Sequence, residues 1–144
     1  LADPSGDSTQ LPADEINGML MALDSPAYQQ VIEGYWQQIL ARATEKTAVQ
    51  VLQDLRHTPN TTVVNCMKQL VAYNPTDDLR QVTAPMLSVN TPLTDLPIAM
   101  HKLVDHLPHV RLEGTSHWLQ MDKPAEFNNI LTQFVESVVN SALN

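Results

Sequence analysis

At 144 residues, 43% of them apolar and 17% charged, the chain is sized for one modest packed unit with a real core and is too short for two independent ones. Sixteen acids against eight bases give a formal charge of −8 and a pI near 4.8, which repels phosphate backbones and argues against nucleic acid as a partner. The lone Cys66 excludes an internal disulfide or a thiolate zinc cluster. With no cofactor implied and no apolar run near the roughly 20 residues that span a bilayer, the chain reads as soluble and cytoplasmic, with no membrane partner.

Residues 1–10 hold Pro4, Gly6 and short polar side chains, the composition of a strand end leaving into a loop. The start on Leu1 without Met reads as the middle of something longer. From Leu11 to about Tyr73 the pattern predicts three or four helices. Ser25-Pro26 supplies an N-cap and a first-turn proline, with Val31, Tyr35 and Ile39 on one face. Thr44 caps a second helix with Val49, Leu52 and Leu55 inward, and Asn60 a third with Val63, Val64, Met67, Leu70 and Val71 inward.

Past Asn74-Pro75 the period changes. Pro85-Met-Leu-Ser-Val-Asn90 is a short apolar run between turn formers, the pattern of a strand buried on both faces. A helix is expected over Pro97 to Leu107 and an alternating strand over His109 to Gly114, which together make a right-handed βαβ crossover. Pro124 opens a last helix whose stripe Phe127, Ile130, Leu131, Phe134, Val135 and Val138 must pack on a sheet. The organisation is a loop at 1–10, a helical block at 11–77 and a small α/β block at 78–144.

Two segments carry a resemblance: Asp78-Leu-Arg-Gln-Val-Thr-Ala-Pro-Met-Leu, and Gly114-Thr-Ser-His-Trp-Leu-Gln-Met-Asp-Lys-Pro-Ala-Glu-Phe. Together they resemble the C-terminal third of the α/β-hydrolase family, the first approaching its seventh strand and the second forming its histidine loop and last helix. The resemblance implies an α/β class, an incomplete α/β-hydrolase fold with a helical cap, then a parallel βαβ unit and a C-terminal helix. It places His117 where the family keeps its catalytic histidine. Such a histidine takes a proton from a nucleophile and returns it to a leaving group, provided that a carboxylate fixes its tautomer.

The carboxylate should follow the preceding strand, in Asn90-Thr-Pro-Leu-Thr-Asp95, where Asp95 is the only acid and sits about one residue late. Asp95 is also placed to cap the helix near Pro97, and Asp3 is the alternative acid. The family's Gly-x-Ser-x-Gly nucleophile turn is absent. Its nearest text is Gly6-Asp-Ser8-Thr-Gln10, without a strand before Ser8 or a helix directly after it. The expectation is therefore a C-terminal fragment of a serine hydrolase acting on an ester, lactone or amide bond of a small apolar substrate, inactive alone and partnered by a missing N-terminal part or by itself. The competing expectation is a non-catalytic helical interaction module with a hydrolase-like tail. His101, His106 and His109 read as ordinary surface residues, since offsets of five and three share no helical face. Tyr35, Trp36, Met19, Met21 and Met67 are either core or the wall of a substrate pocket.

Overall fold

The computed structural model describes residues 1–143. Its first block is built from four helices: α1 (Ala13–Leu23), α2 (Tyr28–Ile39), α3 (Glu45–His57) and α4 (Asn60–Ala72). Ser25 Oγ accepts from the Ala27 amide at 3.1 Å ahead of α2, and Thr44 Oγ1 accepts from the Thr47 amide at 3.2 Å ahead of α3. Each hydroxyl thus satisfies a backbone N–H near the start of a helix that has no partner within it. Leu23, Tyr28, Ile32, Val63 and Val64 form the core of this block, with Met19, Val31, Trp36, Leu55 and Met67 against it. The inward faces differ in part from the periodic reading. Tyr35, Val49 and Leu70 are exposed, while Tyr28, Ile32 and Val51 are buried.

A fifth helix, α5 (Pro75–Gln81), opens with Asn74 Oδ1 accepting from the Asp77 amide at 3.2 Å and with Pro75 in its first turn. Its Leu79 packs on Met100, Val104 and Leu107. The remaining elements are β1 (Ser88–Asn90), α6 (Met100–Leu103), β2 (His109–Arg111), α7 (Leu119–Asp122) and α8 (Pro124–Ala142). β1 and β2 are parallel, with Val89 opposite Val110. On the other side of β1, Ala2 forms a parallel bridge to Val89. Its neighbours complete the pairing: the Val89 amide donates to the Leu1 carbonyl at 2.9 Å, and the Asp3 amide to the Val89 carbonyl at 2.7 Å.

The expected α/β class is overturned by this architecture. The structure is mostly helical, at 60% with eight α-helices among the described residues, and its sheet has only two named strands of three residues each. The apolar runs at 85–90 and 109–114 are shorter as strands than as patterns: β1 keeps only the last three residues of the first run and β2 the first three of the second. The helix expected over 97–107 shrinks to one turn, Met100–Leu103.

So small a sheet cannot cover a 19-residue amphipathic helix. Phe127 and Ile130 of α8 reach Val89, Leu112 and Leu119, yet no residue of α8 is fully buried. Leu131, Val135 and Val139, four residues apart, lie in solvent at 40%, 56% and 50% exposure. No helix among the described residues is long and apolar enough to cross a membrane.

Candidate functional site

Three chain segments end together at the carboxyl side of the parallel pairing. Asp3 follows the bridging residue Ala2, Thr91 follows β1, and the loop Leu112–Trp118 follows β2. Groups delivered from such neighbouring ends converge on one spot.

Asp3 is fully buried and has φ of 45°, the left-handed region that a residue other than glycine rarely adopts. That conformation is held by the fully engaged carboxylate. Oδ1 accepts from the Thr91 amide at 2.6 Å and from the Thr94 hydroxyl, and Oδ2 accepts from Thr91 Oγ1 at 3.1 Å. The remaining partner of Oδ2 is Nδ1 of His117, at 2.8 Å. A buried carboxylate needs such donors, since an uncompensated charge there is strongly unfavourable.

His117 is held at three points. Its amide donates to the Ile39 carbonyl at the end of α2, at 3.2 Å, and its ring meets Trp118 edge-on with centroids 5.3 Å apart. The third point is Asp3. Because an ionised carboxylate only accepts, Nδ1 is the nitrogen that donates to it, which leaves Nε2 as the one that carries a lone pair whenever the ring is neutral. The side chain is 32% exposed, and Nε2 has no hydrogen-bond partner among the described residues. An imidazole with its far nitrogen open and its near nitrogen fixed by a buried carboxylate is oriented so that, when neutral, it can accept a proton at Nε2.

The loop carrying His117 is tied down next door. Asp122 Oδ2 accepts from the amide and hydroxyl of Ser116 at 2.8 and 2.6 Å, and its Oδ1 accepts from the Thr44 amide at 2.8 Å. One carboxylate therefore joins the histidine loop to the start of α3. Burial pushes the Asp122 carboxyl up, but the hydrogen bonds from Ser116 and Thr44 outweigh it and hold the group below its usual range. This residue was not singled out from the sequence. The signal available was Ser116 six positions ahead of an acid, which is weak.

The acid inferred from the sequence is corrected. Asp95 does not meet His117; it lies against His101 Nε2 at 3.3 Å, Lys102 Nζ at 2.6 Å and Arg111 at 3.6 Å. Nor does it cap a helix, because α6 begins at Met100 and Ala99 takes the cap position without a side-chain bond. The alternative acid, Asp3, is the one the fold brings to His117. His101 and His109 are likewise brought together, stacked with centroids 4.0 Å apart, and the His101 side chain is only 4% exposed. The helical-face argument missed this because His101 is on α6 and His109 on β2.

Gly6-Asp7-Ser8 is a turn and carries no nucleophile geometry. Gly6 has φ of 92°, and a Cβ there would stand 2.7 Å from the Ile98 carbonyl oxygen. The buried Asp7 accepts from Thr76 Oγ1 at 2.5 Å and caps the short 3₁₀ turn that starts at Ser8 through the Thr9 amide at 3.0 Å. No hydroxyl of Ser8 reaches His117. Comparison with known proteins gives no match to a family model and none to a curated protein.

Proposed function

We propose that this chain carries the acid–base half of a hydrolase site, in which His117 is the general base and then the general acid, and Asp3 orients it. The observation that carries the reading is the 2.8 Å contact from the buried Asp3 carboxylate to His117 Nδ1, with Nε2 left open. The histidine-loop resemblance to α/β-hydrolases supports it. The reaction is acyl transfer from an ester, lactone or amide of a small apolar substrate. A nucleophile outside these 144 residues gives its proton to Nε2 and attacks the carbonyl carbon. His117 then returns that proton to the leaving group, and water repeats the cycle on the acyl intermediate. The partner that completes the site supplies the nucleophile and the oxyanion hole. We also propose a cytoplasmic location for this chain.

A second reading, a non-catalytic interaction module, draws on the exposed stripe Leu131, Val135 and Val139. Turnover of a p-nitrophenyl ester by the complete natural polypeptide separates the two. On the hydrolase reading His117→Ala lowers kcat by at least about 10³-fold, and the 144-residue chain alone gives no turnover above free imidazole. Unchanged turnover in His117→Ala, or none in the complete polypeptide, overturns the hydrolase reading.

A further inference from the structure

The stacked pair His101 and His109 lies outside the His117 site and has no part in the hydrolase reading. Their rings face one another with centroids 4.0 Å apart and planes 25° from parallel, which joins α6 to the start of β2. His101 is enclosed. Its side chain is 4% exposed, its Nδ1 is buried without a hydrogen-bond partner among the described residues, and its Nε2 lies 3.3 Å from Asp95 Oδ1. The charged and titratable groups that face this ring come from three segments: Asp95 from the loop after β1, His109 from β2, and Lys102 from α6 itself. Asp95 is shared, since it also meets Lys102 Nζ at 2.6 Å and Arg111 at 3.6 Å, and Arg111 in turn meets Glu113 at 2.6 Å.

A neutral His101 suits this place, with Nε2 toward the acid and only a lone pair unmatched at Nδ1. A second proton changes three things at once. It makes a buried N–H with no acceptor, it takes a positive charge out of water, and it sets that charge against His109 and Lys102. Burial first, and then His109, hold the His101 imidazole below the usual histidine range. The element that carries it is weak, because α6 is four residues long and a single turn has almost no helical stability of its own. Its position depends on contacts, with Met100 and Val104 packed on Leu107, Leu79 and Met86.

We infer that the His101–His109 stack is a pH-sensitive latch, which holds α6 against β2 while His101 is neutral and lets go when His101 is protonated, loosening the apolar packing around Met100 and Val104. The direction follows from linkage. The unfolded chain protonates this histidine near pH 6.5 and the folded chain only at lower pH, so the stability that the enclosed ring contributes is fully present above about pH 6.5 and is lost as pH falls below it.

The test follows the histidine ring protons of the 144-residue chain by NMR between about pH 8 and 5, beside amide hydrogen exchange corrected for the chemical rate. The His101 ring is expected to titrate below the unfolded value. Amides of α6 and β2 should open about tenfold more often at the acid end, in step with that titration, while those of α3 and α4 keep their protection. His101→Phe keeps an aromatic ring against His109 and takes up no proton, so it should abolish the acid-induced opening. His109→Phe leaves the titrating His101 in place and should retain it. The wild-type titration needs neither variant. A His101 ring that titrates at or above the unfolded value, exchange in α6 and β2 that does not change with pH, or acceleration shared equally by α3 and α4 would overturn the inference. So would opening that survives in His101→Phe or vanishes in His109→Phe.

Discussion

The Asp3 carboxylate and the His117 imidazole meet at 2.8 Å across 114 positions of sequence, and the strand register is what brings them together. Ala2 pairs with Val89 on one side of β1 while Val110 pairs with it on the other. The residues just beyond these pairs therefore project from the same end. Truncating Asp3 to alanine leaves the Thr91 amide and the Thr94 hydroxyl buried without their acceptor, and should cost about 3 kcal/mol. Asp95→Ala, which removes a partly exposed acid among cations, should cost less than about 1 kcal/mol. Urea unfolding of both variants checks the contrast, and equal losses would remove Asp3 from its structural role.

Glycine substitutions should move stability in opposite directions at two sites. At Gly6, with φ of 92° and the Ile98 carbonyl 2.7 Å from a built Cβ, alanine meets both backbone strain and a hard contact. Gly6→Ala should lose about 2–4 kcal/mol. Gly34 lies inside α2 with nothing within 4 Å of its added Cβ. There alanine restricts the unfolded chain and favours the helix, so Gly34→Ala should gain about 0.5–1 kcal/mol. Thermal melts monitored by circular dichroism distinguish the two signs.

Asp122 sets a pH dependence. Its carboxyl lies below the usual range in the folded protein, so the folded state favours the ionised form. The resulting stability is fully present above the unfolded value of about 4 and fades as pH falls through the lower folded value. The Tm gap between the wild type and Asp122→Asn should therefore be widest near neutrality and should narrow below about pH 4. A gap that stays constant down to pH 2 would mean that the Ser116 and Thr44 contacts do not depend on the charge.

How much of this was legible beforehand divides along local and distant lines. Thr44 ahead of α3 and Pro124 opening α8 follow from short-range chemistry, whereas Asn74-Pro75 was read only as a change of period and the helix it opens, α5, was not expected. Which face turns inward was read less well. Tyr35 and Val49 sit on helical periods that fit burial, yet α2 presents Tyr28 and Ile32, and α3 presents Thr47 and Val51. Packing partners set that rotation, and periodicity contains nothing about partners. His117 was legible because its loop is a contiguous segment. Its acid was not, because the choice between Asp3 and Asp95 depends on a left-handed backbone at Asp3 and on pairing across 86 positions, from the Leu1 amine to the Leu87 carbonyl. Asp95 is held elsewhere by Lys102 and Arg111.

The uncovered face of α8 should govern behaviour in solution. With Leu131, Val135 and Val139 exposed in one stripe, the 144-residue chain is expected to self-associate as concentration rises. Leu131→Glu with Val135→Glu should return it to a monomer with little change in circular dichroism. Sedimentation velocity is the check, and a wild type that stays monomeric throughout contradicts the expectation.

The most direct test of the central claim is a double-mutant cycle on ester turnover by the complete natural polypeptide, because groups that act as one unit do not add. Asp3→Asn alone should lower kcat by about 10²–10⁴-fold, and adding it to His117→Ala should cost no more than about twofold beyond His117→Ala alone. Independent, multiplicative losses would contradict the account, as would an Asp95→Asn variant that matches the Asp3→Asn loss.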